Sequence, residues 1–140
     1  MKLERLFEVK DNKLFKISGE EVALSSLIVK TINWTSVENG PEEYNEEFLA
    51  KLRDELKGLE SLNKFSFIEP VFDKDGDIPS FVAAMKHCAR RIKDCISVVG
   101  FAIPEEAVAE KDLFIEELSQ KHQQYSYFCK KNISKDVVLY

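Results

Sequence analysis

Carboxylates dominate the side chains that could do chemistry in this chain, with 25 Asp and Glu against 20 Lys and Arg. Two carboxyls act as an acid–base pair only where their surroundings push their pKa values apart. The informative ones are therefore those beside the ends of predicted strands. Asn33, Trp34 and Glu38 follow the apolar run 27–32, Glu69, Phe72, Asp73 and Asp75 follow the run 65–68, and Glu105 and Glu106 follow the run 97–103. Glu105 and Glu106 come directly after Pro104, where a proline in the first turn and acidic residues beside the positive helix end are the commoner arrangement. The catalytic alternative has Glu106 projecting as a general acid, its pKa raised by burial or by a neighbouring like charge. Trp34, the only tryptophan, reads first as a core residue half-buried at a strand end and second as an aromatic platform for a sugar ring.

Other chemistries lack their residues. His87 and His122 fall on predicted helices, with no serine or cysteine at a recognisable elbow. Asp73, Asp75 and Asp77 alternate around Gly76, but a calcium loop needs a glutamate where this chain has Ala84, so a solvated turn is expected. The five glycines are scattered singly and form no phosphate loop. Cys88, Cys95 and Cys129 make an odd set with no C-x-x-C pair, and Cys88 and Cys95 share one helical face as small hydrophobes. Neither a metal nor a cofactor is expected. The net charge of −5 argues against nucleic acid, since Arg90, Arg91 and Lys93 read as a solvated helix face. The opening Met1-Lys2-Leu3-Glu4-Arg5 carries no leader-like apolar run, and no stretch is long enough to cross a membrane. A cytoplasmic protein is the expectation.

These residues must be carried by a small α/β domain. A length of 140 residues and 44% hydrophobic content suit one domain with its own core. Residues 4–17 predict a β-hairpin turning at Asp11-Asn12. The run 27–32 is rich in β-branched residues and predicts a buried strand. Asn45 caps a helix reaching about Glu60, with Phe48, Leu49, Leu52, Leu56 and Leu59 as its stripe. A strand at 65–68 stops at Pro70. A second helix runs from Pro79-Ser80 to about Cys95 with Phe81, Ala84, Met85, Cys88, Ile92 and Cys95 inward. A strand at 97–103 is followed by a long helix over 106–131 with Phe114, Leu118, Tyr125 and Phe128 in line, and 137–139 is a last short strand. The order is a hairpin and then β-α-β-α-β-α units, which implies a parallel sheet.

The stretch from Ile28 to Glu38 resembles a strand of the cellulase-type (β/α)8 glycoside hydrolases, and Tyr44-Asn45-Glu46-Glu47-Phe48-Leu49 is similar to their next helix start. Residues 81–87 through Val98-Val99-Gly100-Phe101 resemble the helix and strand that deliver the family's general acid. The resemblance covers roughly residues 5–107. It implies the first half of a TIM-like barrel, a hairpin closing its floor, and Glu106 at the acid/base position. This chain has Glu105-Glu106-Ala107 where the family has Asn-Glu-Pro, lacks the histidine expected near 65–72, and stops before the strand that bears the nucleophile.

A retaining glycosidase needs two carboxyls roughly 5–5.5 Å apart, and half a barrel supplies one. The expected function is therefore a non-catalytic α/β module that recognises a carbohydrate or a protein, with Trp34, Glu38, Glu69, Asp73 and Glu105 as binding residues. The rival is a glycosidase-like enzyme with Glu106 as acid and Glu38, Glu69 or Asp73 as second carboxylate, the latter from the fold or from an oligomer partner. A regulatory protein-interaction module is the third. Open sheet edges imply a homo-oligomer that covers them, and two half-barrels could close into one.

Overall fold

The computed structural model describes residues 3–140; Met1 and Lys2, which begin the segment read for a leader, lie outside the described residues. The hairpin is β1 (Phe7–Lys10) and β2 (Lys13–Lys16), paired antiparallel with Phe7 opposite Lys16. Its two-residue turn holds Asp11 and Asn12 at φ +49° and +66°. Those left-handed values match the strand twist, and Asp and Asn reach them more easily than most residues.

A five-stranded parallel sheet follows: β3 (Leu27–Asn33), β6 (Phe65–Val71), β7 (Val98–Ala102), β8 (Ser126–Cys129) and β9 (Val138–Leu139), in that spatial order. Between β3 and β6 lie a one-turn helix α1 (Trp34–Val37), a two-stranded ribbon β4 (Glu38–Gly40) and β5 (Glu43–Tyr44), and α2 (Glu46–Ser61). α3 (Ile78–Arg91) joins β6 to β7, and α4 (Lys111–Ser119) precedes β8. Each strand of the sheet lies beside the next one in sequence, so crossovers of one hand put every helix on one face. Two apolar clusters agree with this. Leu49, Leu52, Leu56, Phe81, Met85 and Phe114 pack with Ile32, Ile68 and Phe101 on the helical side. Phe7 and Leu14 of the hairpin pack with Leu27, Phe67, Val99 and Phe128 on the other. The fold is thus a five-stranded parallel α/β sheet with helices on one face and its own hairpin over the other.

Both long helices start as their caps require. The Asn45 side chain accepts from the Phe48 amide and that of Asp77 from the Ser80 amide. α2 buries Leu49, Leu52 and Leu56, and α3 buries Phe81, Ala84, Met85 and Cys88. α3 ends at Arg91, short of the expected Cys95, and Ile92 and Cys95 stay buried beyond it.

Two expectations are corrected. No helix spans 106–131: residues 105–110 form a 3-10 turn, α4 ends at Ser119, and 126–129 are a fully buried strand. His122 accordingly sits in the connection between α4 and β8 and is buried, not on a helix. Pro70 does not stop β6, which runs to Val71 beside β3, with Ile32 opposite Pro70. The ladder from β6 to β7 has already ended at Ile68, so the missing N–H of Pro70 breaks no bond there. Gly100 explains how β8 fits beside β7, because a β-carbon at Gly100 would overlap the Ser126 carbonyl.

Candidate functional site

Parallel strands point their carboxyl ends the same way, so the loops after β6, β7, β8 and β9 meet on one rim. That rim holds a cleft of about 210 Å³, bordered by Glu69, Phe72, Glu105, Glu106, Lys130 and Tyr140 among others. Glu69 projects near the end of β6 on the hairpin side. Thr31 of β3 donates to its Oε1 at 3.1 Å, and the Tyr140 hydroxyl donates to its Oε2 at 2.5 Å. Lys130 Nζ stands 3.7 Å from the same Oε2. The Tyr140 ring is set edge-on against Phe67, centroids 5.0 Å apart, and its amide donates to the Cys129 carbonyl. Burial, reinforced by the bond to Glu69, raises the Tyr140 phenol well above its ordinary range, so the hydroxyl keeps its proton and serves as a donor.

Glu105 and Glu106 occupy the first turn of the 3-10 segment after Pro104, and both are exposed. Glu105 pairs with Lys131 at 2.5 Å, and that hydrogen bond holds its carboxyl below the usual carboxylate range. Val71, Phe72, Ile103 and Pro104 give the cleft an apolar wall. The arrangement offers carboxylate and phenol oxygens as acceptors, ammonium donors, and flat apolar surface within a monosaccharide-sized space. It is smaller than the roughly 300–1,000 Å³ of drug-sized ligand pockets. A larger hollow of about 440 Å³ lies near the amino end of β7, among Leu3, Leu6, Phe7, Ile96 and Val98. It is mostly apolar and lacks a convergent set of polar side chains.

The six residues singled out from sequence divide between two places. Glu69, Glu105 and Glu106 line the cleft. Trp34, Glu38 and Asp73 instead form a lock around α1. Trp34 is 1% exposed, wedged against Phe72, Phe81 and Gly76. Its Nε1 donates to Glu38 Oε2 at 3.2 Å, and Lys74 donates to Glu38 Oε1 at 2.8 Å while lying 4.4 Å from the indole centroid. Trp34 therefore presents no open face to a ring. Asp73 accepts from the Thr35 amide at 3.1 Å and from the Thr35 hydroxyl. Partial burial opposes ionisation of Asp73, but the Thr35 bonds prevail and its carboxyl lies below the ordinary value. The loop 73–77, expected as a solvated turn, is tied to α1 and caps α3. Thr31, Lys130, Lys131 and Tyr140 were missed. The last three flank strands β8 and β9, and Lys130-Lys131 becomes a strand-end pair only once 126–129 is read as a strand.

Among the described residues, no group of three or more His, Cys, Asp or Glu side chains could hold a metal ion, and no helix is long and apolar enough to cross a membrane. No protein-family model matches this chain, and a search of curated proteins finds no match to it.

Proposed function

We propose that this domain binds a small polyhydroxylated ligand of monosaccharide size in the strand-end cleft and does not hydrolyse it. The observation that carries the reading is the fixing of Glu69 between Thr31, Tyr140 and Lys130 at the rim of the sheet. A carboxylate so held is a pre-set acceptor for ligand hydroxyls, Lys130 is a donor on its flank, and the Tyr140 oxygen, its proton given to Glu69, is a further acceptor. Hydrolysis needs a carboxyl held protonated near neutrality. Glu105 is shifted in the opposite direction by Lys131.

The second reading is glycosidase-like, with Glu106 as general acid and Glu69 as the other carboxylate; it is supported by their sharing one cleft. Amide-shift titration with a panel of monosaccharides tests the first. Saturable shifts at 69, 71–72, 103, 105–106, 129–131 and 140, with affinity at least tenfold weaker in Glu69→Gln, are expected; their absence across the panel removes the proposal. Aryl glycosides should be turned over at the same background rate by the wild type and by Glu106→Gln. A rate that only the wild type shows would establish the second reading instead.

Two further properties belong to this proposal. β3 pairs only with β6 in the sheet and exposes Val29 at 45%, which supports a homo-oligomer formed edge to edge. The hairpin already fills the face that a closed barrel would turn inward, so edge pairing is the form we favour over a shared barrel. The three free, buried cysteines support a reducing, cytoplasmic setting.

A further inference from the structure

A second polar groove lies on the helical side, between α3 and the end of α4, and shares no lining residue with the strand-end cleft. Its making begins with spacing. Ala83, Lys86, His87 and Arg90 stand at i, i+3, i+4 and i+7, which aligns them on one face of α3. Glu117, Lys121 and His122 form the opposite wall, and Tyr44 closes one end, its ring stacked on His87 at 4.2 Å. The hollow measures about 180 Å³.

Its charge runs against that of the whole chain. Three fixed cations, Lys86, Arg90 and Lys121, face the single carboxylate Glu117, so the lining carries a formal +2 on a chain of net −5. Part of this set is already engaged. Lys86 donates to Glu117 at 2.8 Å and to Gln120 at 3.1 Å, and His87 is 3.0 Å from Glu46. The neighbouring Arg91 pairs with the same Glu46 carboxylate and does not line the groove. Among the described residues, the side chains of Arg90 and Lys121 enter no hydrogen bond or ion pair. Two unengaged cations beside a third repel one another, and an anion between them relieves that repulsion.

We infer that this groove binds the phosphate group of a small phosphate ester. A guanidinium presents paired N–H donors that match two oxygens of a phosphate, while the two ammonium groups act as point charges around it. The size of the hollow admits one phosphate with a small attached group. The acidic surface elsewhere disfavours an extended polyanion.

The test is an amide-shift titration with inorganic phosphate and, separately, with a hexose monophosphate, against the unphosphorylated hexose and sodium chloride at equal ionic strength. Saturable shifts at 83–91 and 117–122 are expected with both phosphorylated probes and not with the unphosphorylated hexose, whose shifts belong to the strand-end cleft. Affinity should fall at least tenfold in the Arg90→Gln/Lys121→Gln double variant with no loss of thermal midpoint, since both side chains are exposed and their mutual repulsion is removed. Tighter binding of the ester than of inorganic phosphate assigns the ligand to a metabolite; equal binding assigns it to the free ion. Shifts that match those of sodium chloride, or equal affinity in the double variant, overturn the inference.

Discussion

Trp34 shows how one side chain can serve packing and polar satisfaction together. Its indole is buried, yet its N–H reaches Glu38, and the Glu38 carboxylate is in turn met by Lys74 lying over the indole. A buried carboxylate without such partners would be costly. The lock closes only because position 76 is glycine. A β-carbon there would overlap Cη2 of Trp34 and stand 3.1 Å from Cζ3. The ring cannot retreat, being held by Phe72 and Phe81 at centroid distances of 4.8 and 5.4 Å. Gly76→Ala should therefore destabilise the fold by about 1–3 kcal/mol, the usual range for overpacking. Gly58 provides the matched control. It lies in α2 with no atom within 4 Å of an added β-carbon, so Gly58→Ala should stabilise by about 0.5–1 kcal/mol through helix propensity. Urea unfolding of the two variants should move the midpoint in opposite directions; shifts of the same sign would contradict the role given to Gly76.

Between elements, the turn of the hairpin does more than reverse the chain. Asn12 ties it to the connection between β8 and β9: its amide nitrogen donates to the carbonyls of Ser134 at 2.6 Å and Val137 at 3.0 Å, and its backbone exchanges bonds with Lys135 and Leu139. That connection is short and carries no helix, so it depends on outside partners. Asn12→Gly keeps the left-handed backbone while removing the side-chain donors. It should cost about 1–2 kcal/mol, with amide exchange at 134–139 accelerating more than exchange in α2. The identity of that turn was legible from Asp11-Asn12, but its partner was not. Reading 106–131 as one helix hid β8, because Phe114, Leu118, Tyr125 and Phe128 fall at near-helical intervals and no glycine or proline interrupts them. Periodicity cannot separate a short buried strand from a buried helical segment. The signal available was four consecutive apolar or small residues, Ser126 to Cys129, ahead of the polar run Lys130-Lys131-Asn132. The earlier elements were legible because their caps, turns and stripes agree with one another. The same lapse accounts for the cleft: Glu69 lies near the end of a strand that could be read and Glu105 and Glu106 follow another, whereas Lys130 and Lys131 follow one that could not.

Over the whole molecule, the titrating groups set the pH range in which it is stable, and its two limits differ in kind. On the acid side, Glu46 is held below its ordinary value by the Arg91 hydrogen bond, Asp94 by Arg53, Glu105 by Lys131 and Asp77 by the Ser80 amide. A depressed folded pKa contributes stability above the unfolded value of about 4 and loses it as pH falls through the folded one. All four side chains are largely solvated, so screening keeps each contribution small. On the alkaline side the groups are buried, except for Tyr140, which is half-buried at the cleft rim. Burial pushes the Cys88 thiol and the Tyr127 phenol up to about 12 and the Cys95 thiol up to about 11, and raises Tyr125 and Tyr140 as well. A raised folded pKa contributes stability that is complete below the unfolded values, 9.0 for the thiols and 10.0 for the phenols, and is lost as pH rises through the folded ones. Each unit of difference is roughly 1.4 kcal/mol, and several interior groups act together, so the alkaline flank should be the steeper. Urea midpoints measured under reducing conditions should form a plateau between about pH 5 and 9, with a shallow fall below it and a sharper one above. Thiol labelling supplies an independent readout. All three cysteines are buried, so within the plateau their reaction with a disulfide reagent should follow the urea unfolding curve. Labelling well before unfolding, or an acid flank steeper than the alkaline one, would mean that the interior groups are less shielded than their packing implies.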